Sequence, residues 1–201
     1  MSVRPIKEEI MYDLLVLSAL LVHDRTGYKL RKILETSLDP RRQISNGVMY
    51  PLLHRLEKSG YIELDTKIVK GHERKIAHIT PAGEQYLHTL MKTPVAMDAK
   101  RESTFHFKFR ALGREKVKFQ RSVLQAYQTA IHSDIEVYQE VISHLKKIVE
   151  RPERKMDVGW SLRTLQLELA VSNAKLAWTR SQLNELKSRS DDSVFIEPPK
   201  I

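Results

Sequence analysis

Residues 45–63 read SNGVMYPLLHRLEKSGYIE, from Ser45 to Glu63, and the fold turns on how this stretch is parsed. Ser45 is a residue type that caps helix N-termini, and Gly60 stands where a helix stops on a left-handed residue. The segment between them reads as one helix, with Val48, Leu52, Leu53 and Leu56 as its apolar set. Its other face carries Asn46, Met49, Tyr50, Arg55 and Lys58. Pro51 removes the hydrogen bond to the Gly47 carbonyl and crowds that carbonyl, so an irregular first turn is expected.

Two helices precede this one. Residues 8–22 carry Ile10, Leu14, Leu17 and Leu21 at helical spacing, and residues 27–36 carry Leu30, Ile33 and Leu34 behind Thr26 as N-cap. Between residues 36 and 45, Asp39-Pro40-Arg41-Arg42-Gln43 reads as a turn, because proline disfavours helix in the residue before it. After Gly60 the period drops from 3.6 to 2. Tyr61, Ile62, Leu64, Ile68 and Val69 lie on one side of Lys70-Gly71, and Ile76 and Ile79 on the other. That is a two-stranded hairpin with Lys67, Lys70, Arg74 and Lys75 near its tip. Thr80-Pro81 restarts a helix anchored by Tyr86, Leu87 and Leu90, and Lys92-Thr93-Pro94 ends it. The domain boundary is expected there, giving residues 1–92 and 93–190, with a mobile tail at 191–201.

In the second domain, Phe105, Phe107, Phe109 and Leu112 alternate as in a strand, but no sheet partner is evident, so a helical or extended lead-in is preferred. Two long helical segments follow. Leu124, Ile131, Tyr138 and Leu145 stand seven apart in the first, and Leu162, Leu169, Leu176 and Leu183 seven apart in the second. Sustained heptad spacing on successive helices suits antiparallel, coiled-coil-like packing. A pair exposed along its length has too little core, which calls for a second chain. The fold class is therefore mainly α with a small β-hairpin wing: an N-terminal winged helix-turn-helix and a C-terminal long-helix dimerisation domain.

Composition narrows the function classes. The 201 residues include no cysteine, which excludes disulfides, thiolate metal sites and cysteine nucleophiles. The eight histidines show no metal-ligand spacing, seven scattered glycines form no phosphate loop, and no hydrolase or metalloprotease motif is present. No enzyme activity and no cofactor are expected. The longest apolar run, 14–22, is too short to span a bilayer, and the first residues have no signal-like core, so a cytoplasmic location is expected. A formal net charge of +9, spread over both halves, suits a polyanionic partner.

Three stretches carry a family resemblance: GYKL at 27–30, the 45–63 segment, and ITPAGEQYL at 79–87. They resemble the PadR family of bacterial transcriptional regulators, and the later helices resemble, in pattern and length, the dimerisation domain of its longer members. The resemblance implies a cytoplasmic homodimer that sets two recognition helices into successive major grooves of double-stranded DNA, about 34 Å apart. Ser45, the helix N-terminal amides and the wing would hold phosphates. Asn46, Met49, Tyr50 and Arg55 would reach base edges, with Tyr28 bracing the backbone. Lys67, Lys70, Arg74 and Lys75 would supply sequence-independent attraction. Dimerisation is assigned to Leu124, Ile131, Tyr138, Leu162, Leu169, Leu176 and Leu183. The family further implies a repressor released by a small aromatic effector, for which Tyr12, Tyr127, Trp160 and Trp178 are candidates. Plain packing explains such aromatics equally well. The competing reading is a helical dimeric interaction module whose winged domain binds a protein; the basic wing and polar helix face favour DNA.

Overall fold

The computed structural model describes residues 8–38, 44–69, 72–149 and 155–194. The chain divides into two compact units, Met1–Gly113 and Arg114–Ile201.

In the N-terminal unit the order is α1 (Glu8–Val22), β1 (Arg25–Thr26), α2 (Gly27–Leu38), α3 (Asn46–Lys58), β2 (Ile62–Val69), β3 (His72–Ile79), α4 (Pro81–Lys92) and α5 (Arg101–Ala111). α1 is the hub. Leu14, Leu15, Val16, Leu17 and Leu20 are all buried, because α2, α3, α4, α5 and β3 pack around it. A helix apolar on most of its circumference belongs in a core, so the stripe read from the sequence, even widened by Leu15 and Ala19, understates its burial.

The local signals act through identifiable bonds. Thr26 Oγ1 accepts from the Lys29 amide at 3.3 Å and caps α2. Thr80 Oγ1 accepts from the Gly83 amide at 3.0 Å and donates to the Gly60 carbonyl at 2.6 Å, tying the start of α4 to the end of α3. Gly60 holds φ +72°, where a side chain is strained. Gly83 has a separate reason to be glycine: a Cβ there would lie 2.0 Å from the Tyr61 carbonyl oxygen. Ser45 has the extended backbone of an N-cap, but its side chain makes no capping bond. Its carbonyl instead accepts from both Val48 and Met49 amides, at 3.1 and 3.2 Å. α3 runs as one continuous α-helix through Pro51, and the irregular first turn expected from the sequence is replaced by a shared acceptor of the kind common at helix termini.

The hairpin gains a third strand. β1 pairs antiparallel with β3, Arg25 opposite Ala77 and Thr26 opposite Ile76, giving the order β1-β3-β2. Two residues are too few to show alternation, which is why the sequence reads only two strands. α5 also corrects the expected domain boundary. It packs on α1 and α2 and buries Phe105 and Phe107, so the N-terminal unit runs to Gly113 and not to Lys92. Phe105, Phe107 and Phe109 sit on a helix, Phe105 and Phe109 four residues apart with rings 6.2 Å between centroids.

The C-terminal unit is α6 (Val117–Val149) packed along α7 (Lys155–Leu186). Leu124, Ile131 and Leu176 are buried, whereas Tyr138, Leu162, Leu169 and Leu183 are only half-buried. Residues 191–194, expected to be mobile, fold back onto the start of α6. The Val117 and Lys118 amides donate to the Ser193 and Asp191 carbonyls at 2.8 and 3.1 Å. Lys116 pairs with Asp192 at 2.8 Å, and Arg121 with Asp191. The segment thus satisfies amides that a helix N-terminus leaves without partners. The remainder of the expected tail, 195–201, lies outside the described residues. Among the described residues no helix is long and apolar enough to cross a membrane.

Candidate nucleic-acid interface

α3 presents its outer face because four residues hold its inner face down. Met49, Leu52, Leu53 and Leu56 are buried, at spacings of three, one and three. Met49 is 2% exposed and Val48 45% exposed, which reverses the sequence assignment of this pair. The reason is angular. Positions 49, 52, 53 and 56 form a full i, i+3, i+4, i+7 stripe, whereas Val48 falls about 100° away from Met49. Met49 is therefore core and not a base-reading residue. The outer face carries Gly47, Val48, Tyr50, Pro51, His54 and Lys58.

The approach to α3 is fixed by α2. Glu35 accepts from the Ile44 amide at 3.1 Å and from Lys32 Nζ at 3.0 Å, and Ile44 is itself buried. The Lys32 bond, then the Ile44 amide, holds the Glu35 carboxyl below the usual range.

Arg55 does not point outward. Its guanidinium grips the carboxylate of Asp13 on α1, with Nη1 donating to Oδ2 at 2.9 Å and Nη2 to Oδ1 at 2.5 Å. Asp13 is wholly buried and also accepts from the Tyr86 hydroxyl at 3.2 Å. Tyr86 in turn stacks on Tyr61, with ring centroids 4.2 Å apart. Burial first, and the Asp13 carboxylate second, push the Tyr86 phenol well above its ordinary pKa. This fork–fork pair pins α3 to α1 and α4, and assigns Arg55 to positioning the helix. The sequence carries no sign of it, since the partners are 42 residues apart.

The wing brings cations together on a ladder. Lys67 lies directly opposite Arg74, and Thr66 opposite Lys75. All three cations are exposed. Like charges facing each other across two strands are mutually destabilising, so this geometry favours an anion between them. At the wing base, His78 bridges Asp24 and Asp65 at 2.9 and 3.2 Å. Between the wing and the helices lies a groove of about 670 Å³, lined among others by Gly27, Tyr28, Tyr50, Leu53, Thr66 and Lys75. Tyr28 and Tyr50 are 60% and 51% exposed, and Arg31 stands over the Tyr28 ring at 5.4 Å.

Of the residues expected to meet DNA, Tyr28, Tyr50, Arg74 and Lys75 line this groove, and Ser45 and Lys67 are exposed outside its lining. Asn46 opens α3, but its side chain lies outside the described residues, as does Lys70. Neither Val48, which the sequence pattern puts in the apolar core set, nor His54 is expected on this face. The complete stripe starting at Met49 was the signal that turns Val48 outward. The four effector candidates do not converge within either unit. Tyr127 is buried in the C-terminal unit, and Tyr12 belongs to the other unit. Trp160 and Trp178 are both exposed on α7, but eighteen residues of helix separate them by about 27 Å. Among the described residues no cluster of three or more histidine, aspartate or glutamate side chains is arranged to hold a metal.

Comparison with known proteins agrees with this geometry. Residues 16–89 match the family described as "Transcriptional regulator PadR-like family". A transcriptional regulator of Mycobacterium tuberculosis is 40% identical over 45 residues, 22% of this chain and 42% of that protein. The matched part thus spans less than half of the mycobacterial relative. An uncharacterized protein of Lysinibacillus sphaericus is 33% identical over 81 residues, 40% of this chain and 74% of that one. Among solved structures, Bacillus subtilis PadR in complex with operator DNA aligns over 87% of this chain and 98% of its own, at 20% identity and a TM-score of 0.40. The matched residues run from α1 through α4, the winged core itself, and the chain belongs to the PadR-like family of transcriptional regulators.

Proposed function

We propose that the protein is a homodimeric, sequence-specific DNA-binding repressor whose release is governed by a small aromatic effector. The observation that carries DNA binding is the wing. Lys67 and Arg74 face each other without a carboxylate opposite, beside a helix whose outer face is free of the core. Such a ladder is unfavourable alone and favourable against phosphate. α3 then lies in the major groove, with the wing along the adjacent backbone. Ser45 and Tyr28 contribute phosphate contacts, and Asn46 and Tyr50 stand nearest the base edges.

Dimerisation is supported by the C-terminal unit. Val137, Val141, Trp160, Leu167, Val171 and Trp178 are exposed on α6 and α7, and three of the four heptad leucines of α7 remain only partly covered. Apolar surface of this extent on a two-helix unit suits a second copy of the chain. A bound dimer on a promoter represses by occupying it. An aromatic effector that favours a different separation of the two α3 helices releases it. Of the four effector candidates, Trp160 and Trp178 are the exposed ones.

The deciding experiment is fluorescence anisotropy with the duplex upstream of the protein's own gene, against a scrambled duplex, at two salt concentrations. The expected result is a preference for the native duplex that survives higher salt. Equal and salt-sensitive affinity for both duplexes, or no binding, would count against sequence-specific regulation at that site.

A further inference from the structure

Two adjacent residues of α3, Gly47 and Val48, are exposed and take no part in the core among the described residues. Gly47 sits inside the first turn, where glycine costs a helix roughly 1 kcal/mol relative to alanine. Its φ is not left-handed, since Gly60 holds the one positive φ among the described glycines. Among the described residues a Cβ would meet only Ser45 Oγ, at an ordinary 3.5 Å. Nothing among them therefore demands the missing side chain. Val48, a β-branched apolar residue, projects outward while its neighbours Met49 and Leu52 are buried.

The chemistry around them narrows the partner. From Gly47 to His54 the outer face holds no lysine or arginine, and Arg55 is engaged with Asp13. The helix thus lacks, in its first two turns, the cation that pairs with guanine. Major-groove edges display hydrogen-bonding groups and a single apolar group, the C5-methyl of thymine. A valine matches that group and no other. Resting on the DNA-binding reading above, we propose that Val48 is a specificity-determining residue that packs on a thymine C5-methyl. Gly47 stays without a side chain so that the start of α3 approaches the groove closely enough for that contact.

The test uses the full-length chain and duplexes it enriches from a random library, with each thymine replaced in turn by uracil, which removes the methyl alone. At one position in each half-site, uracil weakens wild-type binding by about fourfold, the worth of one buried methyl. Val48→Ala loses a similar factor on the thymine duplex and becomes indifferent to the exchange. Gly47→Ala melts no lower than wild type, yet binds the selected duplex at least about tenfold more weakly. The proposal is overturned if Val48→Ala remains as sensitive to uracil as wild type, if no position responds to uracil, or if Gly47→Ala binds at full strength. A library that enriches no sequence is a different outcome: it removes the DNA-binding reading itself, and this proposal with it.

Discussion

Arg55 shows how a residue's type and its role separate. On a recognition helix an arginine is the natural guanine reader, yet here it closes a bidentate pair on a fully buried aspartate. Removing one partner of such a pair leaves a charge without water or counter-ion. Arg55→Ala should cost about 3 kcal/mol in urea denaturation, and more than Asp13→Ala, which deletes the buried charge and leaves an arginine able to reach solvent. A cost under about 1 kcal/mol, with altered preference at one base position, would return Arg55 to base reading. Lys108 offers a second test. Its ammonium is buried and donates to the Met91 and Thr93 carbonyls at 2.8 and 2.5 Å, closing the end of α4. Burial lowers its pKa to about 8. Between that value and the ordinary lysine value the unfolded chain holds the extra proton, so stability rises with pH across this window. Neutral amine still donates to both carbonyls. Melting temperature relative to Lys108→Met should therefore climb as pH goes from about 8 to about 10. A flat or falling difference would show the ammonium is not penalised in the fold.

Among the elements, the wing and α3 divide the work. The wing's face-to-face Lys67 and Arg74 weaken the hairpin slightly, by a few tenths of a kcal/mol. Replacing either with alanine should leave the melting temperature unchanged or slightly raised. Affinity should fall alike on specific and random duplexes, and the salt slope should flatten by about one unit per cation. Loss confined to one sequence would contradict a phosphate role. α3 itself was legible as a helix from Ser45 to Gly60, because cap, stop and stripe lie in one continuous segment. Which of Val48 and Met49 faces inward was misread, although the complete stripe from Met49 carries the answer. The β1 strand was not legible, since two residues joining an edge leave no periodic mark.

The whole molecule divides at Gly113, and this changes what a truncation should do. A chain ending at Lys92 lacks α5 and uncovers the surface of α1 and α2 that Phe105 and Phe107 cover. It should lose its cooperative melting transition. A chain ending at Gly113 should fold and sediment as a monomer, with weakened affinity for a two-half-site duplex. A stable dimer of the 1–113 fragment would move the assembly interface out of the C-terminal helices.

Local sequence alone was enough to determine the order of helices and hairpin, the caps at Thr26 and Thr80, the left-handed stop at Gly60 and the basic wing. Each depends on residues within about one turn or one strand, where sterics and short-range hydrogen bonds decide. Long-range packing decided the rest. The Asp13–Arg55–Tyr86 clasp joins residues 42 and 73 positions apart, and the fold-back of 191–194 joins Lys116 to Asp192. Such contacts leave no pattern in the chain, because burial and charge pairing act between surfaces that only folding brings together.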